Sequence, residues 1–309
     1  MTRVATFGNY QSALLDLMRA QTRSTDAQER VATQKNGTDL AGFGRQAETL
    51  TALKGAQNRI QGFIDTAEAV TARLITQDLA MNQISDGVTG IREAIGNAIA
   101  TDAGGSLMLD LEGRFQAIRG GLNMRHHGSY LFAGASTTTV PLEAANLTEL
   151  SAPALVADLF RNDTLKTASR VAEGTTLETG FLADELGTDV LTILRNIHNY
   201  HTTPGDGPLN GKLNADQKAF LATQLGLLEQ AGTTVVDKVA RTGSMANQVD
   251  NITRSHEAQK AALDQLVAGR TDADMARAIT DLQLSQVAIQ ASAQVISQLR
   301  QVSLLNYLS

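Results

Sequence analysis

Apolar residues recur at alternating steps of three and four between Leu53 and Ala98. This heptad pattern places a narrow apolar seam along one side of a helix, and Gln77 is its single polar interruption. At about 1.5 Å of rise per residue, the predicted helix is a rod of roughly 70 Å. A rod of this length is typical of a building block of an elongated assembly. The predicted rod seam comprises Leu53, Ile60, Phe63, Leu74, Met81, Val88 and Ile95.

Two further segments with helical periodicity supply partners for this rod within the chain. Residues 107–123 and 214–267 both carry apolar residues at helical spacing, and the second is long enough to run antiparallel to the first rod. We therefore interpret the seam as the spine of one subunit, with its partners inside the chain, and not as a dimer interface.

The two ends of the chain also have helical patterns, but with an unusual distribution of apolar residues. The helix predicted from Ala273 to about Leu305 is apolar on more than one side, while the helix predicted from Phe7 to about Ala32 is only thinly apolar. A helix that is apolar on more than one side needs neighbours on more than one side. The thinly apolar N-terminal helix cannot cover all of this surface, so we expect the chain ends to pack against other copies of the chain. The predicted intermolecular interface comprises Phe7, Tyr10, Leu14, Leu17, Leu282, Ile289, Ile296, Val302 and Leu305.

The middle of the chain differs in kind from its ends. All four prolines lie between Pro141 and Pro208, where they exclude long uninterrupted helices. The pattern predicts a short strand at Tyr130–Phe132, a hairpin around Glu173-Gly174 and a short helix from Val190 to Tyr200. The predicted fold is mainly α, a long antiparallel helical-bundle or coiled-coil rod built from both chain ends with a small α+β insert. Its predicted domains are a terminal coiled-coil domain (1–40 and 270–309), a helical rod domain (41–134 and 213–269) and a surface insert (135–212).

Composition narrows the possible partners. The net charge of −6 gives no basic stripe for a nucleic acid, and without cysteine no disulfide framework can form. Aromatic residues make up 4% of the chain, which suits the thin cores of helical bundles.

The sequence also predicts neither a cleaved signal peptide nor a membrane span. The first ten residues lack the apolar core of a cleaved signal peptide. We expect no membrane insertion because Gln and Ser interrupt the uncharged run from Leu282 to Leu299.

Candidate catalytic and metal-binding residues do not converge on a site. His198 and His201 have a spacing that can place two metal ligands on one helix face, but no third ligand is evident nearby. We expect His126 and His127 to be helical interface or solvent residues, and His256 to be a satisfied core histidine. Asp272 and Asp274 are interpreted as helix-start residues, and a capping box is predicted from Thr271 to Asp274. We therefore expect no enzyme activity, no cofactor and no bound metal.

Two stretches of the sequence carry the motifs of a known family. One is the run from Asp272 through Gln286, Gln290-Ala-Ser292 and Ser303-Leu-Leu-Asn-Tyr-Leu308, in the predicted terminal helix. The other is Leu122-Asn123 followed by Gly128-x-Tyr130-Leu-Phe-Ala-Gly134, at the exit from the N-terminal rod. Together they resemble the flagellin superfamily, and within it the hook-associated proteins of the hook–filament junction. The resemblance spans about 1–134 and 213–309. One departure is Thr38-Asp39-Leu40-Ala41-Gly42, where the family often carries an Asp-Pro or Asp-Asp-Ala-Ala turn.

The resemblance implies a structural role outside the cell. Such proteins are exported by the flagellar type III apparatus without a cleaved signal and assemble as a ring through their terminal helices. The implied partners are other copies of the chain, a neighbouring hook-associated junction protein, flagellin, and an export chaperone on the C-terminal helix. Two alternatives remain open, namely a flagellin of the filament itself and a secreted coiled-coil scaffold unrelated to flagella.

Overall fold

The computed structural model describes the backbone of residues 2–39 and 41–308 and the side chains of residues 8–39 and 42–300. Helices dominate this part of the chain, so the predicted mainly-α fold is confirmed. The α-helices are α1 Thr2–Thr33, α2 Ala47–Thr101, α3 Leu107–Leu122, α4 Leu147–Ser151, α5 Ala183–Thr202, α6 Ala215–Thr271 and α7 Met275–Leu308. Short 3-10 helices cover Ala41–Gln46 and Val156–Leu159.

The strands form two small antiparallel hairpins. Strand β1 (Arg125–His126) pairs with β2 (Ser129–Tyr130), and β3 (Ala168–Ala172) pairs with β4 (Thr175–Glu178). The second hairpin turns at Glu173-Gly174, as predicted, and Gly174 supplies the positive φ of 76° that this turn requires.

The chain divides into two compact units. One unit comprises Met1–Ile60 with Ala258–Ser309, and the other comprises Gln61–Glu257. Helices α2 and α6 contribute residues to both. The segment predicted as a separate insert shares one apolar core with the adjoining helices of the second unit. The division into terminal, rod and insert domains therefore stays a prediction about roles, and its boundaries differ from those of the compact units.

In the first unit, the loop after α1 is tied to the loop before α7. The Asn36 amide donates to Thr271 O at 2.7 Å, and its side-chain Nδ2 donates to Asp272 O at 2.9 Å. The Ala273 amide donates to Gln34 O at 2.9 Å. These bonds satisfy backbone groups that the ends of two helices leave open.

In the second unit, α3 and α6 pack against α2, and α5 packs against α3. Helices α2 and α6 are antiparallel, because Phe63 stacks on His256 while Arg92 lies 3.5 Å from Glu229. Helix α3 approaches α2 closely at Gly121, where a Cβ atom would lie 2.8 Å from Ala80 O. The core includes Leu111, Phe115 and Ile118 of α3 and Leu186, Leu191 and Leu194 of α5.

Four local predictions were wrong. Of the strand predicted at Tyr130–Phe132, only Tyr130 lies in a strand, because β2 ends there and a turn follows. Helix α5 begins at Ala183, seven residues before the predicted start, because its first turns pack Gly187 against Leu122 and Phe160. His126 and His127 lie in the first hairpin and not on a helix, since α3 ends at Leu122 and His127 takes a positive φ of 48° in the turn.

The fourth error concerns the start of α7. Thr271 belongs to the last turn of α6, where its hydroxyl donates to Val267 O at 3.0 Å. Asp274 alone acts as the cap, because its Oδ1 accepts a hydrogen bond from the Arg277 amide at 3.1 Å.

Candidate assembly surfaces

Helices α1 and α7 pair along a seam of small side chains. Ala20, Ser24 and Ala27 of α1 are buried, as are Ala278 and Ser285 of α7. Their spacing of three, four or seven residues is that of a heptad seam, and small residues let the two backbones approach closely. The pair therefore depends on a close approach of the two helices at these positions.

Five residues of the predicted intermolecular interface share the phase of this seam. Tyr10, Leu17, Leu282, Ile289 and Ile296 are half-buried and lie three, four or seven residues from its buried positions or from one another. The sixth described member, Leu14, is 41% exposed. The side chains of Phe7, Val302 and Leu305 lie outside the described residues. Part of the predicted surface is thus already covered within the chain, and its role between copies stays a prediction.

Other apolar side chains on these helices are more exposed than the predicted ones. Leu15 and Met18 of α1 are 53% and 57% exposed, and Leu284 and Val287 of α7 are each 63% exposed. Leu284 and Val287 belong to a second apolar stripe of the terminal helix that is visible in the sequence. Periodicity could have found them, but it could not tell which of the two stripes pairs with α1.

A groove of about 580 Å³ lies between α1 and α7. Its walls combine Arg23 of α1 with Leu284 and Ala288 of α7. The Arg30 guanidinium lies 3.5 Å from the Asp281 carboxylate, at one of the ion pairs beside the groove. Charged and polar side chains thus form most of its lining, with Leu284 as its large aliphatic residue.

The predicted rod seam is distributed over both units. Leu74, Met81, Val88 and Ile95 are buried in the second unit. Phe63 is half-buried there, and Leu53 and Ile60 are half-buried in the first unit. Gln77, the polar interruption, is fully buried, and its Nε2 donates to Thr242 Oγ1 of α6 at 3.3 Å.

The two histidines of α5 have structural surroundings. His201 Nδ1 accepts a hydrogen bond from the Leu209 amide at 3.0 Å, which holds the loop after α5. Burial, followed by the nearby His201, lowers the pKa of His198. Within the described residues, no group of three or more His, Cys, Asp or Glu side chains is arranged to hold a metal ion.

His256 is a core residue that joins α6 to the second hairpin. It is 7% exposed, its Nε2 lies 2.9 Å from Val171 O, and its ring stacks on Phe63 at 5.5 Å between centroids. The sequence placed it in the core, but its partner in β3 is distant in sequence and could not be predicted.

The other histidine pair is fixed in the first hairpin. The rings of His126 and His127 meet edge to face at 4.2 Å, and His126 Nδ1 lies 2.9 Å from Thr76 Oγ1. Burial, followed by His127 and Arg73, lowers the pKa of His126. Both histidines thus support the local fold at the exit from α3.

None of the described helices combines the length and the apolar composition that a membrane span requires.

Comparison with known proteins identifies the C-terminal segment. Residues 225–308 match the family described as the bacterial flagellin C-terminal helical region. This match confirms the resemblance of the terminal helix to the flagellin superfamily. No curated protein matches the sequence.

Solved structures extend the likeness to most of the chain. A candidate flagellar hook-associated protein of Vibrio parahaemolyticus is 16% identical, with a TM-score of 0.63 over 75% of this chain and all of its own. Bacillus cereus FlgL is 15% identical, with a TM-score of 0.53 over 71% of this chain and 98% of its own. Xanthomonas campestris FlgL is also 15% identical, with a TM-score of 0.55 over 70% and 99%. At these identities the likeness establishes the fold.

Proposed function

We propose that this chain is a structural subunit of the bacterial flagellum that joins the hook to the filament. The flagellin C-terminal region over residues 225–308 carries the proposal, and the likeness to a hook-associated protein over most of the chain supports it. In this proposal the protein is not an enzyme and uses no cofactor. It works by forming contacts with other proteins outside the cell.

The contacts between copies are assigned to the terminal helices. Leu14, Leu15 and Met18 of α1 and Leu284 and Val287 of α7 leave apolar surface open on a paired unit. Covering such surface with neighbouring copies is favourable by about 25 cal/mol per Å² of apolar area. The proposed assembly is a ring of subunits, and the remaining proposed interface residues contribute along the half-buried edges of the pair.

The proposed partners follow from a position between the hook and the filament. One edge of the ring contacts a neighbouring hook-associated junction protein, and the other contacts the first flagellin subunits. Before assembly, an export chaperone covers the open stripe of α7, and the chain leaves the cell by type III export.

The test is deletion of the coding sequence in its own bacterium. Electron micrographs should show hooks without attached filaments and free flagellin in the medium, and the wild-type copy should restore filaments. Cells that keep normal filaments after deletion would overturn the proposed function.

A filament flagellin is the second candidate, because the matched C-terminal region is described for flagellins. Copy number separates the two roles. Quantitative mass spectrometry of purified flagella should find about one ring of this chain per flagellum for the junction role and thousands of copies for a filament subunit. A chain absent from purified flagella would instead favour the third candidate, a secreted coiled-coil scaffold.

A further inference from the structure

The outward side of α2 carries two exposed aliphatic residues between carboxylates. Ile75 and Leu79 are 67% and 61% exposed, which is unusual for large aliphatic side chains. Glu68 and Asp86 lie seven residues before and after this pair, so the helical repeat places all four on one line. Neither carboxylate forms an ion pair with any described residue. We call these four residues the α2 stripe.

A groove runs between α5 and α6 on the same unit, with polar and apolar side chains in its walls. It has a volume of about 430 Å³ and is lined by Ile193 of α5 and by Leu227 and Thr234 of α6. Leu227 is 44% exposed, so the groove already offers an apolar contact. Asp189 lines it as well. We call this the α5–α6 groove.

Two cationic side chains lie further along the same side of α6. Lys238 and Arg241 lie over the ring of Phe181, with Nζ at 5.5 Å and Cζ at 5.7 Å from its centroid. Neither cation is paired with a carboxylate among the described residues. Lys238 follows Leu227 by eleven residues, a spacing that returns to the same side of a helix.

We propose that the α5–α6 groove of one copy receives the α2 stripe of a second copy. This inference rests on the proposed function and identifies the faces that meet between neighbours in the ring. Glu68 precedes Leu79 by eleven residues, the same separation as from Leu227 to Lys238. At about 1.5 Å per residue both separations are roughly 16 Å, so Leu79 meets Leu227 while Glu68 reaches the two cations.

The direction of the helices agrees with this pairing. Within one chain α2 and α6 are antiparallel. Copies that point the same way therefore bring α2 of one against α6 of the next in antiparallel orientation, which is the orientation that the matching of Leu79 with Leu227 needs. The contact joins two different surfaces, so each copy keeps one surface open for the next neighbour.

Pairing the α2 stripe with itself is disfavoured by charge. In an antiparallel pair of two α2 helices, Ile75 would face Leu79 and Glu68 would face Asp86. The apolar residues would match, but each carboxylate would oppose another carboxylate without a cation. Pairing with α6 relieves this repulsion for Glu68, because Lys238 and Arg241 lie at the position that it reaches.

Cysteine cross-linking tests the contact directly, because the natural chain contains no cysteine. Full-length Leu79→Cys and Leu227→Cys proteins are expressed together in the deletion strain, and flagella are treated with a mild oxidant. The expected product is a disulfide-linked dimer containing one chain of each variant. The control replaces Leu227→Cys by Val236→Cys, which is 55% exposed but lies on the opposite flank of α6, and no dimer should form.

Each other outcome overturns the inference. Dimers of Leu79→Cys with itself would identify α2 as a self-pairing face, and links from Leu79→Cys to a protein of different mass would identify another occupant. Normal filaments with no cross-link between Leu79→Cys and Leu227→Cys would overturn the inference while leaving the proposed function intact. Absence of the wild-type chain from flagella would overturn the proposed function itself.

Charge exchange gives an independent test. Glu68→Lys alone should reduce incorporation into flagella at least tenfold, and so should Lys238→Glu with Arg241→Glu. Combining all three substitutions should restore incorporation to within about threefold of wild type. Because these side chains are exposed or half-buried, circular dichroism should stay unchanged. Glu48→Lys, an exposed carboxylate on the opposite side of α2 from the α2 stripe, serves as the control and should leave incorporation unchanged. Failure of the combined variant to recover, with each partial variant folded, would overturn the inference.

Discussion

Gln77 and Thr242 form a hydrogen bond across the buried seam between α2 and α6, with Nε2 of the amide 3.3 Å from Oγ1 of the hydroxyl. Both residues are almost completely buried. The Gln77 carbonyl oxygen Oε1 has no hydrogen-bond partner among the described residues. A polar pair in an otherwise apolar heptad seam fixes the register of two long helices at a cost in stability.

Replacing Gln77 should separate the stabilising hydrogen bond to Thr242 from the cost of the unsatisfied carbonyl oxygen. Gln77→Leu removes the unsatisfied oxygen at similar volume, and we expect the free energy of unfolding to rise by about 1 kcal/mol. Gln77→Ala leaves a cavity as well, and we expect a decrease of about 2 kcal/mol. Urea unfolding of the full chain, followed by circular dichroism, measures both. If Gln77→Leu destabilises as much as Gln77→Ala, the hydrogen bond to Thr242 outweighs the unsatisfied carbonyl.

The close approach of α3 to α2 predicts opposite effects for two glycines. A Cβ at Gly121 would lie 2.7 Å from Cγ1 of Ile84, so Gly121→Ala should lower the free energy of unfolding by about 1–3 kcal/mol through overpacking. A Cβ at Gly96 meets nothing within 4 Å, so Gly96→Ala should raise it by up to about 1 kcal/mol through helix propensity. The same unfolding measurement compares them, and equal effects would contradict this account of the α2–α3 contact.

The burial of His198 predicts a loss of stability in mild acid. Because its pKa is lowered in the folded state, the unfolded chain binds more protons between that lowered pKa and the ordinary value of about 6.5. The free energy of unfolding therefore falls as the pH decreases through this window, and the fall ends below the folded pKa. His198→Gln should flatten the decrease between about pH 7.5 and 5, as measured by urea unfolding at several pH values.

His126 provides the comparison for this prediction. Its pKa is also lowered, mainly by burial, so it contributes in the same direction. The double variant His126→Gln with His198→Gln should have a flatter pH dependence than either single variant. An unchanged slope in all three variants would show that neither histidine governs acid stability.

The α1–α7 seam predicts a strong dependence on side-chain size. Ala27 is fully buried between the two helices, so Ala27→Leu should force them apart and cost about 1–3 kcal/mol. We expect faster amide hydrogen exchange throughout α1 of the full-length chain. Ala32→Leu, at an exposed position of the same helix, is the matched control and should leave exchange unchanged. Equal exchange rates in the two variants would mean that the seam tolerates a larger separation.

Much of the architecture could be predicted because the apolar periodicity of a long helix is contained in residues that are close together in the sequence. The heptad repeat around Leu74, Met81 and Val88 predicted both a helix and its buried side. The turn at Glu173-Gly174 could be predicted because a left-handed backbone favours glycine. The start of α5 at Ala183 could not, because its first turns are stabilised by Leu122 and Phe160, which are far away in the sequence.

The candidate surfaces were predicted less completely than the helices. Periodicity identified two apolar stripes on α7, but both stripes have similar composition. Only the tertiary structure shows that the stripe with Leu282 and Ile289, in phase with the buried Ser285, pairs with α1. The exposure of Ile75 and Leu79 was likewise hidden, since the same residues could have faced a neighbouring helix.

By itself, the sequence determined the mainly helical fold, the heptad seam of α2 and the flagellin-like character of the terminal helix. These properties depend on the order of residues within one segment, which periodicity records directly. The tertiary structure decided which stripe of α7 is covered, that the Gln77 amide nitrogen donates to Thr242, and which flank of α6 forms a groove with α5. Those choices depend on contacts between segments far apart in the chain, and a local pattern leaves such contacts open.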